Sequence, residues 1–173
     1  TFADLAAGAR LRIAEPASTP PRRAIVDAKP TLLAIANAPP FTHRENAFDE
    51  YVDQPLLPAG VSRLGPGMAV GDANGDGRDD LFVGGAAGQA GALFLRTQEG
   101  GWQLQPGPWQ PDAACEDMGC VWLDYDRDGD LDLFVASGGA EHKQGDALLR
   151  DRLYRNDGNA KFTRVDDALP DVR

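Results

Sequence analysis

The rhythm of apolar and polar positions changes near residue 56. Before it, apolar residues are scattered among Ala and Pro; after it, they come in short runs bounded by Gly and Asp. Met68-Ala69-Val70-Gly71 and Cys120-Val121-Trp122-Leu123 have strand length and predict buried strands. Leu81-Phe82-Val83 and Leu133-Phe134-Val135 predict two more, each following an acidic loop. Leu93-Phe94-Leu95-Arg96 and Leu153-Tyr154-Arg155-Asn156 match each other, as do Trp102 and Phe162. Within each copy a turn separates these two matching positions, Gln98-Glu99-Gly100-Gly101 in the first and Asp157-Gly158-Asn159-Ala160 in the second, and both suit hairpins. The acidic loops stand 52 residues apart and the later pairs 60 apart, so the second copy carries eight extra residues within Ser137 to Arg152. Each unit reads strand, acidic loop, strand, connection, strand, turn, strand. A repeated four-stranded antiparallel unit of this length predicts an all-β chain with two propeller blades. A sandwich of two similar halves is the alternative.

The expected organisation is a Pro/Ala-rich lead-in over 1–55, a first blade over 56–114 and a second over 115–173. Within the lead-in, residues 9–13, 23–26 and 32–36 predict short strands, and Pro16, Pro20 and Pro21 predict a loop over 15–23. Pro39-Pro40 breaks the chain. The run from Phe41 to Tyr51 is expected to be a surface segment held by its aromatics.

The candidate chemistry lies in the acidic loops. Asp72-Ala73-Asn74-Gly75-Asp76-Gly77-Arg78-Asp79-Asp80 and Asp124-Tyr125-Asp126-Arg127-Asp128-Gly129-Asp130-Leu131-Asp132 both read D-x-[DN]-x-D-G-x-x-D. Oxygen side chains at positions 1, 3, 5 and 9 can converge on one hard cation, and calcium takes about 6–8 oxygens. The candidate ligands are Asp72, Asn74, Asp76, the Arg78 carbonyl and Asp80, then Asp124, Asp126, Asp128, the Asp130 carbonyl and Asp132, for two Ca²⁺ sites. Gly77 and Gly129 at position 6 permit the sharp turn. An EF-hand would place Glu at position 12 and helices on both flanks. Val83 and Val135 stand there instead, between strand-like runs, so Asp80 and Asp132 are expected to close the cage. A solvated acidic turn is the bland alternative for either loop alone; the duplication favours metal. The second loop is expected to bind more tightly. It has four Asp where the first has three and Asn74, and Tyr125 is expected to pack and stiffen it.

A net charge of −10 argues against nucleic-acid binding, which needs a basic face. Nine acidic residues lie in the two loops, so part of the excess is local. No apolar run approaches the ~20 residues of a membrane span. The chain begins at Thr1 rather than Met, and a processed or cropped product is expected. Cys115 and Cys120 are the only cysteines, too few ligands for zinc by themselves; whether they form a disulfide is left open. Millimolar calcium points to an extracellular, periplasmic or cell-surface setting.

The two units resemble FG-GAP or VCBS repeats, the calcium-loop blades of integrin α-subunit heads and of many bacterial secreted proteins. The wording is closest to bacterial ASPIC-associated, cartilage-acidic-protein-like proteins. The residues carrying the resemblance are Ser62 to Pro66, Gly71 to Gly85, Glu116 to Gly119, Asp124 to Gly139, Asp151 to Gly158 and Ala168-Leu169-Pro170; His43-Arg44-Glu45-Asn46 and Leu56-Leu57-Pro58 resemble that group's lead-in to a blade. The resemblance implies a propeller ring of about seven blades, of which two are counted here. Further blades of the same or another chain are therefore expected partners, with a protein or glycan as ligand. The implied function is recognition, adhesion or scaffolding without catalysis. The rival from another class is a propeller enzyme acting on polysaccharide, a lyase or hydrolase. Its candidate acid–base groups, His43, Glu45, Glu141 and His142, form no motif in the sequence.

Overall fold

The structure, a computed structural model, describes residues 37–170. They lie within one unit, Ala36–Arg173. The strands and loop expected before residue 37 fall outside the described residues.

Eight strands build two sheets. The first contains β1 (Met68–Gly71), β2 (Asp80–Val83), β3 (Ala92–Arg96) and β4 (Trp102–Gln105); the second contains β5 (Glu116–Leu123), β6 (Asp132–Gly138), β7 (Arg152–Asn156) and β8 (Phe162–Arg164). Both are antiparallel meanders in chain order, and β1 packs beside β5. This is the all-β architecture of two propeller blades. The acidic loops join β1 to β2 and β5 to β6, and the Gly-containing turns join the last two strands of each sheet. The eight extra residues lie between β6 and β7, around a short 3₁₀ turn at Ala147–Leu149.

Two details differ from the expectation. β5 begins at Glu116, four residues before the apolar run, because its first residues are polar yet buried. Glu116 is fully buried and Asp117 nearly so, and the Asp117 amide donates to the Gly85 carbonyl at 3.0 Å. A bulge between Asp117 and Gly119 then restores the register. The strands before the loops are also not buried throughout. Ala69 is 5 % exposed, whereas Met68 and Val70 on the opposite face are 62 % and 65 % exposed. β1 and β5 are the first strands of their sheets, so only the face turned to the other blade is covered.

The core fills the space between the blades. Ala69, Phe82 and Leu93 of the first sheet meet Leu133, Val135, Tyr154 and Phe162 of the second. Trp109 comes from the connection between the sheets, just before the 3₁₀ turn Gln110–Asp112. Its ring stacks edge-on against Phe82 and Tyr154, with centroids at 5.3 and 6.0 Å. Polar latches cross the same interface: the buried Asn156 side chain donates to the Ala73 carbonyl at 2.7 Å, and Tyr154 Oη donates to Asp112 at 2.6 Å. Arg152 and Asp117 form a buried ion pair. Burial lowers the basicity of Arg152, but Asp117 more than restores it, leaving its pKa above the ordinary value. The lead-in closes on the first blade through Phe41, whose ring packs edge-on against Phe94 at 6.2 Å.

Candidate metal centre

Each acidic loop is held at its end by the position-9 carboxylate. Asp80 Oδ2 accepts from the Ala73 amide at 3.0 Å and Oδ1 from the Arg96 amide at 2.7 Å. Asp132 does the same with Tyr125 at 2.7 Å and Asn156 at 2.8 Å. Both aspartates are fully buried. They tie position 2 of the loop to the third strand of the blade. Burial holds the Asp80 pKa above the usual carboxylate value, aided by the charges of Asp76 and Asp72, while the two amides pull it back. A carboxylate oxygen has two lone pairs, so each still has acceptor capacity toward the loop.

The remaining ligand positions differ between the loops. In the second, Asp124, Asp126 and Asp128 are exposed and offer carboxylate oxygens all within 4.8 Å of one another. Arg127 and Gly129 both take positive φ, 66° and 95°, which curls the loop round these side chains. Asp132 is not one of the three. In the first loop, Asp72 accepts from the amides of Gly75, Asp76 and Gly77 at 2.7–3.0 Å. Asp76 is paired with the Arg78 guanidinium and also accepts from the Asn74 side chain at 2.9 Å. Arg78 is itself anchored by donating from Nε to the Arg96 carbonyl at 3.0 Å. The oxygens of Asp72 and Asp76 are thus engaged within the loop. Position 2 also departs from the expectation: Ala73 is buried in the core, and Tyr125 is 44 % exposed. Asp132 holds Tyr125 through its backbone amide, and its side chain is only half-buried.

Cys115 and Cys120 are both free thiols. Burial raises both pKa values, that of Cys120 to about 12, so the thiols stay protonated at neutral pH.

A second polar cluster sits where the lead-in meets the second blade. His43 Nε2 lies 2.7 Å from Glu45 Oε1, and Asn46 donates to Glu141 Oε1 at 2.8 Å. Glu116, at the start of β5, accepts from the Ala87 amide at 2.6 Å. Its pKa is raised first by burial, then by the charges of Glu141 and Glu45, with His43 opposing. The sequence named His43, Glu45 and Glu141 without a motif to join them; Glu116 escaped it as the polar opening of a strand.

The paired blades with an acidic loop after each first strand define a propeller-type repeat. The family model described as an FG-GAP-like repeat matches residues 72–135, from the first residue of the first loop into β6. That span includes both acidic loops, and this segment is similar to that family. No curated protein matches the chain.

Proposed function

We propose that this chain is a calcium-stabilised propeller segment of a secreted or cell-surface protein, presenting its loops for recognition or adhesion. The observation that carries the reading is the gathering of Asp124, Asp126 and Asp128 within 4.8 Å, inside the segment similar to FG-GAP repeats. Three carboxylates this close repel one another, and a divalent cation relieves that repulsion. The ion would be held by these three, Asp132 and the Asp130 carbonyl. The first loop would hold its ion through Asp72, Asn74, Asp76, Asp80 and the Arg78 carbonyl. With every ligand drawn from one tight loop, the ion's task is structural, and no catalytic step is assigned to it. The partner would be a protein or glycan, with further blades completing the ring. Calorimetric titration of chelator-treated protein tests the metal: calcium uptake abolished by Asp128→Ala supports the reading, and no uptake by the native chain refutes it. Glycan-array and cell-surface binding assays test recognition.

A further inference from the structure

We propose that the cavity formed by the loop between Phe48 and Arg63 binds a neutral saccharide; this deepens the recognition reading above and rests on it. The cavity has a volume of about 320 Å³ and is lined by Phe48, Asp49, Glu50, Tyr51, Gly60, Ser62 and Arg63. That size lies in the range of small-molecule sites. The loop is closed by a buried clasp. Glu50 is 2 % exposed, and its carboxylate accepts from the Val61 amide and from the Ser62 amide at 2.8 Å. A carboxylate this deeply buried is costly unless hydrogen-bonded, and the two amides supply those bonds. Inside the clasp the chain turns on itself: the Gln54 amide donates to the Glu50 carbonyl at 2.8 Å, and the Leu57 amide to the Gln54 carbonyl at 3.2 Å. Gly60 allows the close approach, since a side chain there would begin 2.6 Å from Glu50 Oε1 and 3.4 Å from Tyr51 Oη. The lining is held in place before a ligand arrives, which lowers the ordering cost of binding.

The lining joins aromatic rings to hydrogen-bonding groups of both kinds. Phe48 is half-buried and Tyr51 is 45 % exposed, so ring surface remains outside the core. The hydroxyls of Tyr51 and Ser62 both donate and accept. Arg63 is exposed, and among the described residues no carboxylate is ion-paired with it. Its guanidinium offers donors in a planar fork. Asp49 takes the Tyr51 amide on Oδ1 at 3.1 Å, and a carboxylate has lone pairs for further donors. Charge narrows the ligand class. Glu50 is already engaged by two amides, which leaves Asp49 and Arg63 as opposed charges of the lining. An anion drawn by Arg63 is repelled by Asp49, and a cation meets the reverse. A purely apolar ligand would strip water from both charges and give nothing back. A neutral pyranose meets every group: its adjacent hydroxyls donate to Asp49 and accept from Arg63, Tyr51 and Ser62, and its C–H face lies against apolar ring surface.

The test is an array of neutral and acidic saccharides probed with the full chain in excess calcium, followed by calorimetric titration of the strongest neutral binder. Binding led by neutral saccharides is expected. Arg63→Ala and Tyr51→Ala should each weaken it at least about tenfold, the scale of a truncated binding anchor. Tyr51→Phe, which keeps the ring and loses the hydroxyl, should weaken it less. Both residues are exposed, so thermal melts of the variants should match that of the native chain. Absence of binding to any saccharide, binding to acidic saccharides alone, or binding that survives both Arg63→Ala and Tyr51→Ala overturns the proposal. Calcium uptake and cell-surface binding by the native chain are read separately. If both persist while the array is blank, this cavity fails and the reading it rests on stands.

Discussion

The two acidic loops share one spacing and differ in what engages their carboxylates. The first is tied by the chain itself: Asp72 takes three backbone amides, and Asp76 takes a guanidinium and an amide side chain. The second keeps Asp124, Asp126 and Asp128 facing one another on the surface. Part of the difference lies at position 7, where Arg78 pairs with Asp76 in the first loop and Asp130 stands in the second. A cation in the first loop competes with an arginine already in place; a cation in the second meets carboxylates that no Lys or Arg is ion-paired with among the described residues. Position 4 differs in the opposite sense. Both loops need positive φ there, and the first uses Gly75 where the second strains Arg127. Ligand spacing alone therefore does not make two loops equivalent.

Position 9 is where the loops agree, and changing it should have the largest effect. Asp80→Ala and Asp132→Ala each strip the acceptor from two main-chain amides at a buried site. Each should cost about 2–6 kcal/mol, from about 1–3 kcal/mol per unmade buried hydrogen bond. Urea midpoints at unchanged slope measure this. A loss below about 1 kcal/mol in either variant would show that the carboxylate does not staple that loop to its blade.

Calcium removal ranks next. At free calcium about 100 times the dissociation constant, each occupied site adds about 2.7 kcal/mol. Thermal melts in chelator and in excess calcium should differ, and Asp126→Asn should shrink the difference more than Asn74→Ala does. Coincident melts of the native chain in both buffers would remove the distinction between the loops, since neither would then hold an ion.

Position 2 inverts what the side-chain sizes suggest. Ala73→Tyr forces a ring into the space between the blades, where overpacking costs about 1–3 kcal/mol. Tyr125→Ala trims a half-exposed ring and should stay within about 0.5 kcal/mol. Equal losses in the two variants would mean that Tyr125 packs after all.

The sequence made the strands, turns and repeat legible because apolar runs, Gly and Asp fix them locally. The run Leu133-Phe134-Val135 lies within β6, and both hairpin turns fall where the Gly residues stand. It hid whatever depends on contacts between distant residues. Trp109 reads as part of a Pro-rich connection, yet it is 3 % exposed at the centre of the core. Glu116 and Asp117 stand among the residues that carry the family resemblance, but nothing in the letters shows that they are buried strand residues. The ligand pattern was legible as a set of letters, but the pairing of Arg78 with Asp76 and the burial of Ala73 were not. Both follow from the third strand and the other blade, which the loop's own spacing does not encode.

The smallest expected effect is the order of the two affinities. Four Asp against three and Asn74 favour the second loop by charge count, and the Arg78–Asp76 pair adds a competitor in the first. Arg78→Ala should therefore tighten calcium in the first loop, as should Asn74→Asp, while Asp126→Asn loosens the second. Each shift is expected at about tenfold, which is about 1.4 kcal/mol. Arg78 also anchors the Arg96 carbonyl, so Arg78→Ala should lower the stability of calcium-free protein slightly while raising calcium affinity. Those two signs distinguish a competing charge from a simple packing residue. Calorimetric titration with one loop disabled at a time, by Asp128→Ala or Asp76→Ala, reads each site separately. If Arg78→Ala left the first site unchanged while Asn74→Asp tightened it, ligand charge alone would set the order. If neither moved it, the difference between the loops would have no bearing on metal affinity.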